Sequence, residues 1–154
     1  MKTEQMLWSQ KEDWSGDINS GALKNAQLVL LFGPPSSLKD ETLFKKIRQA
    51  YPHAYILSGS TAGEILKTHV YDNSLVATAI QFEITVVKSA HLEIKNRKDS
   101  LSIGEKLVRA LDQEGLCHIF VLADGLNVNG SELVKGMMNH LPEQIGIIGG
   151  LAGD

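Results

Sequence analysis

A single cysteine among 154 residues, Cys117, excludes an internal disulfide and any zinc site built on cysteine. That usage fits a chain kept in a reducing cytosol. Basic charge is not in surplus either. Fifteen Lys and Arg stand against 18 Asp and Glu, a formal charge of −3 with a pI near 5.9. A dedicated nucleic-acid binder would carry a basic field instead. No apolar run approaches the roughly 20 residues a membrane helix needs. The first residues, Met1-Lys2-Thr3-Glu4, contain no signal-peptide core. The expectation is a cytoplasmic protein that contacts neither nucleic acid nor membrane. Enzyme signatures are missing as well: no Gly-x4-Gly-Lys-Ser/Thr, no Gly-x-Gly-x-x-Gly and no His-Glu-x-x-His. His53, His69, His91, His118 and His140 are scattered without ligand spacing, so no metal site is expected.

What is present is the composition of a globular domain. Hydrophobic residues make up 43% and charged residues 21%, with a mean hydropathy of −0.07. A chain of this length can bury a sizeable core. Glycine numbers 14, and half of these fall within residues 125–153.

Residues 1–26 are polar and weakly periodic and read as a lead-in with room for a short helix. Leu28-Val29-Leu30-Leu31-Phe32 is a continuous apolar run ended by Gly33-Pro34-Pro35, which predicts a buried strand and a turn. Ser37 and Asp40 have capping-box spacing for a helix that turns Leu43, Phe44, Ile47 and Tyr51 inward and stops at Pro52. Tyr55-Ile56-Leu57 is a second strand. Ile80, Phe82, Ile84 and Val86 alternate with polar residues and predict a half-buried strand preceded by a turn at Asp72-Asn73. Ser102 and Glu105 predict the start of another helix, ended by Gly115. A strand over 118–122 should follow, with Cys117 at its start as a small buried hydrophobe. A helix with Leu133, Val134, Met137 and Leu141 inward then runs to Pro142, Met138 also counting as core. Gly146-Ile147-Ile148 is the last strand.

These two stretches read as one unit written twice. With Glu64 laid on Asp154, an offset of 90, residues 28–64 fall on 118–154 without a gap. Pro52 meets Pro142, and Gly59, Ala62 and Gly63 meet Gly149, Ala152 and Gly153. The fold expected is α/β: mixed sheets flanked by helices, with an internal duplication of a strand–helix–strand–Gly-loop unit.

Each copy ends in Gly-x-x-Ala-Gly-acid, at the carboxyl end of a strand. Glycine backbone approaches a ligand closely, and its N–H groups can converge on an anion or carboxylate. Open α/β sheets bind ligands at such ends. The candidate ligand-binding residues are Ser58, Gly59, Ser60, Thr61, Ala62, Gly63 and Glu64, then Asp124 and Gly125, then Gly149, Gly150, Gly153 and Asp154, expected to share one cleft. The alternatives stay open: glycines that only permit tight packing between related units, and Asp124 as an Asx-turn residue opening a loop. Glu64 and Asp154 could accept from an ammonium group. Gly59-Ser60-Thr61-Ala62-Gly63 has the outline of a nucleophile elbow with threonine at its centre, but the matching residue in the second copy is Leu151.

The run 28–32, Ser58-Gly59-Ser60-Thr61-Ala62-Gly63-Glu64-Ile65, Ala123-Asp124-Gly125-Leu126, Gly130-Ser131-Glu132-Leu133-Val134 and Gly149-Gly150-Leu151-Ala152-Gly153-Asp154 together resemble the N-terminal part of a FIST domain ("F-box and intracellular signal transduction") over about 27–154. The resemblance implies an intracellular sensory domain for a small ligand, an amino acid or related metabolite. Its partners would be an output domain or protein such as a histidine kinase or a cyclic-dinucleotide enzyme. One branch of the family senses nitric oxide with haem, but no histidine here matches a ligand position, so the cofactor stays unknown. An enzyme using Thr61, Glu64 or Asp154 is the remaining alternative. Ser58-Gly59 stands where the family often has Gly-Cys, so no thiol role carries over. The family domain continues past the second Gly loop into a C-terminal FIST region. The expectation is therefore a truncated domain whose last strand is a poorly covered edge.

Overall fold

A computed structural model describes residues 1–15, 18 and 23–153. The chain divides into two compact units, residues 1–87 and 88–154. In chain order the elements of the first unit are strands β1 (Lys2–Ser9), β2 (Asp13–Trp14) and β3 (Leu28–Gly33), helices α1 (Pro35–Leu38) and α2 (Glu41–Ala50), and strands β4 (Tyr55–Ser60), β5 (Glu64–Leu66), β6 (His69–Tyr71) and β7 (Ser74–Gln81). The second unit holds a 3-10 turn (Arg97–Asp99), α3 (Ser100–Ala110), β8 (His118–Asp124), α4 (Gly130–Met138) and β9 (Gly146–Ala152). Mixed sheets flanked by helices make this an α/β protein.

The first unit is built on a five-stranded sheet in the order β2-β1-β7-β3-β4, with β3 and β4 parallel and the other pairs antiparallel. Strand β3 lies inside it, which accounts for its continuous apolar sequence. Its Val29 and Leu31 side chains point into the core with Leu43, Ile47 and Ala50 of α2 and with Ala77 and Ala79 of β7. Asp40 starts α2: its Oδ1 accepts from Thr42 N at 2.7 Å and Leu43 N at 3.3 Å. Ser37 instead sits in the separate single turn of α1, which a proline opens. The helix turns Leu43 and Ile47 inward and leaves Phe44 exposed, against the expectation from the sequence.

Residues 1–26 differ most from the sequence reading. Their described part begins with an eight-residue strand, β1, paired along its whole length with β7, and Met6 and Trp14 enter the core. The described residues of this segment form strands and turns and contain no helix, because pairing with β7 sets an extended backbone over residues 2–9. The alternation at 80–86 also misleads. Strand β7 ends at Gln81, and Ile84 and Val86 are exposed at 95% and 79%. Gln27 closes the ladder with its side chain, donating to Phe82 O at 3.2 Å and accepting from Phe82 N at 2.8 Å.

The second unit packs α3 and α4 against a two-stranded parallel sheet of β8 and β9. Ile119, Val121, Ala123 and Ile147 join Val108, Leu133 and Met137 in its core, while the alternate residues Phe120 and Ile148 are exposed. Helix α3 opens at Ser100 after Asp99, ahead of the expected box at Ser102, and ends at Ala110, five residues before Gly115. Cys117 and Met138 are exposed rather than buried. Cys117 lies just before the first residue of β8, and Met138 is the last residue of α4, next to the buried Met137.

Both units contain a parallel strand–helix–strand, but the gapless 90-residue correspondence is not kept in the pairing. Leu28 pairs with Tyr55, whereas His118 pairs with Gly146, one residue beyond the matching Ile145.

Candidate ligand-binding loops

In the first unit the Gly loop begins where β4 ends. Ser60 pairs with Gly33, and Thr61 N donates to Gly33 O at 3.2 Å, so the chain turns over the carboxyl end of β3. Ser58 is exposed, Gly59 is buried within β4, and Ala62 is exposed at the tip. Gly63 passes close to the next hairpin, where an added Cβ would lie 3.3 Å from Val70 Cγ1.

Glu64 closes the loop from beneath. It is only 2% exposed. Its Oε1 accepts from Thr61 Oγ1 at 3.0 Å, and its Oε2 accepts from Ser74 Oγ at 2.6 Å and from Ser74 N at 3.2 Å. Three donors offset the cost of burying a charge that no described cation neutralises. A hydroxyl donating to a carboxylate has the outline of a nucleophile and its base. Here, however, the same carboxylate ties the loop to the first residue of β7. The sequence marked Glu64 as a ligand contact, and its inward turn depends on Ser74, a partner that sequence reasoning missed.

In the second unit β8 and β9 run parallel, so their carboxyl ends lie side by side, with Asp124 opposite Ala152. Asp124 is exposed and opens an Asx turn. Its Oδ1 accepts from Leu126 N at 2.7 Å and Asn127 N at 3.1 Å, and its Oδ2 accepts from Asn127 Nδ2 at 2.8 Å. These bonds, that from the Asn127 side chain first, hold the carboxyl below the usual aspartate range.

Gly149 and Gly150 belong to β9 itself, not to a loop after it. At Gly149 the two strands come so close that a Cβ would fall 1.9 Å from Val121 O, and at Gly125 one would fall 2.3 Å from Ala152 O. These two glycines serve close backbone approach. Gly150 and Gly153 differ: a Cβ on either would meet nothing within 4 Å. Asp154 lies outside the described residues.

One buried side chain organises this edge without having been marked by its sequence context. Ser100, with no exposure, donates from Oγ to Arg97 O at 2.7 Å and accepts from Asn129 N at 2.9 Å. Asn129 in turn caps α4 by accepting from Glu132 N at 3.3 Å. Ser100 thus fixes the far end of the loop that Asp124 opens.

The described residues do not fit a haem. His53, His69, His91 and His118 are exposed, and His140 Nε2 lies 3.2 Å from Arg109 and 3.8 Å from Glu105. Among the described residues no group of three or more His, Cys, Asp or Glu could hold a metal ion, and no helix is long and apolar enough to cross a membrane.

Parallel strand pairs with glycine-rich carboxyl ends define an α/β protein whose candidate sites lie in loops at strand ends, the usual place for ligands in such sheets. The family model of the FIST N domain matches residues 27–154, and the chain belongs to that family of signal-transduction sensory domains. No curated protein and no solved structure matches it.

Proposed function

We propose that the chain binds a small metabolite, an amino acid or a related acid, through backbone groups at these strand ends. The bound state would then pass to an output domain or protein such as a histidine kinase or a cyclic-dinucleotide enzyme. In this reading the protein is not an enzyme and works in the cytoplasm, together with a C-terminal FIST region. Ser58, Ser60, Thr61, Ala62 and Gly63 would line a site within the first unit, and Asp124, Gly150 and Gly153 a site within the second. Glu64 shapes the first loop from inside.

The observation that carries the reading is the open space over Gly150 and Gly153, next to an edge where Asp124 and Ala152 lie side by side. Glycine where nothing crowds a Cβ is not explained by packing, whereas a ligand approaching the backbone explains it.

The test is thermal unfolding of the chain with a panel of proteinogenic amino acids and their α-keto and dicarboxylic relatives. A true ligand raises the melting temperature saturably, following RT ln(1 + [L]/Kd). The Gly150→Val chain should keep its unliganded melting temperature and lose the response. A panel with no saturable shift, or a shift undiminished in Gly150→Val, overturns the proposal.

A further inference from the structure

One edge of the second unit's sheet carries backbone groups that no described residue pairs. Strand β8 runs beside β9 and has no strand partner on its other edge among the described residues. In the first unit β3 stands the same way beside its parallel neighbour β4, and there β7 fills the other edge, antiparallel. Native sheets guard free edges with charges, prolines or bulges. Between Ile119 and Ala123 strand β8 has no charge and no proline, and its register with β9 is unbroken.

The side chains of β8 select what fits this edge. Ile119, Val121 and Ala123 face the helices, so His118, Phe120, Leu122 and Asp124 share the opposite face. Let a second β8 lie antiparallel on the edge, centred on Val121. His118 then falls opposite the partner's Asp124, and Phe120 opposite the partner's Leu122, each pair occurring twice by symmetry. On the helix face Ile119 falls opposite the partner's Ala123, a large residue against a small one. The neighbouring registers that keep both faces are poorer. Centring on Phe120 sets His118 against Leu122, and centring on Leu122 sets Asp124 against Phe120. Polar ends and an apolar middle thus match in one register only. Strand β9 offers no such match: Gly146, Gly149 and Gly150 leave three of its seven positions without side chains, and it carries no charge.

We infer that this edge joins a second copy of the chain, β8 to β8 antiparallel, in a closed twofold dimer. The strands would run β9-β8-β8-β9. Phe120, 42% exposed beside Ile148, would then rest on the partner's Leu122. One strand pair is a small interface of the weak class, so association at roughly 100 µM is expected. The inference requires no ligand at the glycine loops.

Sedimentation equilibrium of the whole chain between about 5 µM and about 1 mM tests it. The mean mass should climb from 16.8 kDa toward twice that value and no further. Phe120→Lys and His118→Asp should each weaken the dimer about tenfold or more. The second loss should shrink at high salt, because it sets carboxylate against carboxylate at both ends of the pair. The register has its own readout in a Cys117→Ser background. There, mixed Phe120→Cys and Leu122→Cys chains should form a disulfide with each other faster than either does alone. Should Phe120→Lys lower the melting temperature, His118→Asp, at the exposed first residue of β8, decides. A chain monomeric to about 1 mM, a mass that climbs past two chains, affinity undiminished in His118→Asp, or no preference for the mixed disulfide overturns the inference. Metabolite-induced stabilisation is measured at about 5 µM, where the chain is monomeric, so the loop sites and this interface can fail independently.

Discussion

Ser74 Oγ lies 2.6 Å from Glu64 Oε2, joining the first residue of β7 to the end of the first glycine loop inside the first unit. Because Glu64 is 2% exposed, water cannot replace a donor that is removed. Ser74→Ala should therefore cost about 1–3 kcal/mol, measured by urea unfolding. Thr61→Val, at a half-buried position, should cost less, about 0.5–1.5 kcal/mol. Equal and negligible losses in both would show that the carboxylate does not hold the loop.

The crossing of α3 and α4 depends on two glycines. A Cβ on Gly104 would fall 2.2 Å from Leu133 O, and one on Gly136 would fall 2.0 Å from Leu101 O. Both obstacles are backbone, so the helices must separate to admit a methyl group. Gly104→Ala and Gly136→Ala should each destabilise by about 1–3 kcal/mol despite alanine's better helix propensity. Gly150→Ala, with nothing in its way, should change stability by no more than about 0.5 kcal/mol. The ranking is read from urea midpoints, and a stabilising Gly136→Ala would contradict the packing.

Acid should act on the second unit through Asp124 and Asp112. Asp124 is held down by the Asn127 side chain and then by the Leu126 and Asn127 amides; Asp112 by Lys88 and then by the Glu114 amide. A carboxyl lowered on folding stabilises at pH values above its unfolded pKa of about 3.9, and that contribution disappears as pH falls through the lower folded value. Unfolding midpoints followed from pH about 6 down to about 2 should therefore drop less steeply in Asp124→Asn than in the parent chain. Parallel curves would remove the Asx turn from the account.

Ser100 should matter more than a serine at the start of a helix usually does. Loss of its hydroxyl leaves Arg97 O and Asn129 N without their partner in a fully buried position. Ser100→Ala should cost about 1–3 kcal/mol. It should also speed hydrogen exchange at Asn129 and Glu132 more than at Val108, in the last turn of α3. Uniform acceleration would indicate a general loss of stability instead.

Strand β3 was legible because Val29 and Leu31 are buried on one face while Leu28, Leu30 and Phe32 are half-buried on the other, giving a continuous apolar run, and helix α2 because its apolar residues recur at helical spacing before Pro52. Its start was misplaced by three residues: Ser37 and Asp40 both have cap chemistry, and only the backbone after Pro35 decides which carboxylate or hydroxyl meets free amides. Strand β1 escaped notice because Lys2, Thr3, Glu4 and Gln5 look like a polar leader, and their pairing partners lie beyond residue 77. The opposite error occurred at Ile84 and Val86, where alternation is present but no described strand pairs with them. In the loops the Asx turn at Asp124 could be read from Asp-Gly, since its donors are two and three residues away. The inward turn of Glu64 could not, because Ser74 is ten residues further on.

Local chemistry alone thus settled the succession of strand, helix and strand in each unit and the placing of glycine towards strand ends, because contacts between near neighbours in the chain are written in residue order. Tertiary structure decided that β1 joins the sheet, that Glu64 faces inward, that Gly104 and Gly136 mark a helix crossing, and that the strand pairing slips by one residue between the units. Each of these rests on atoms brought together by packing, whose separation along the chain no local pattern records.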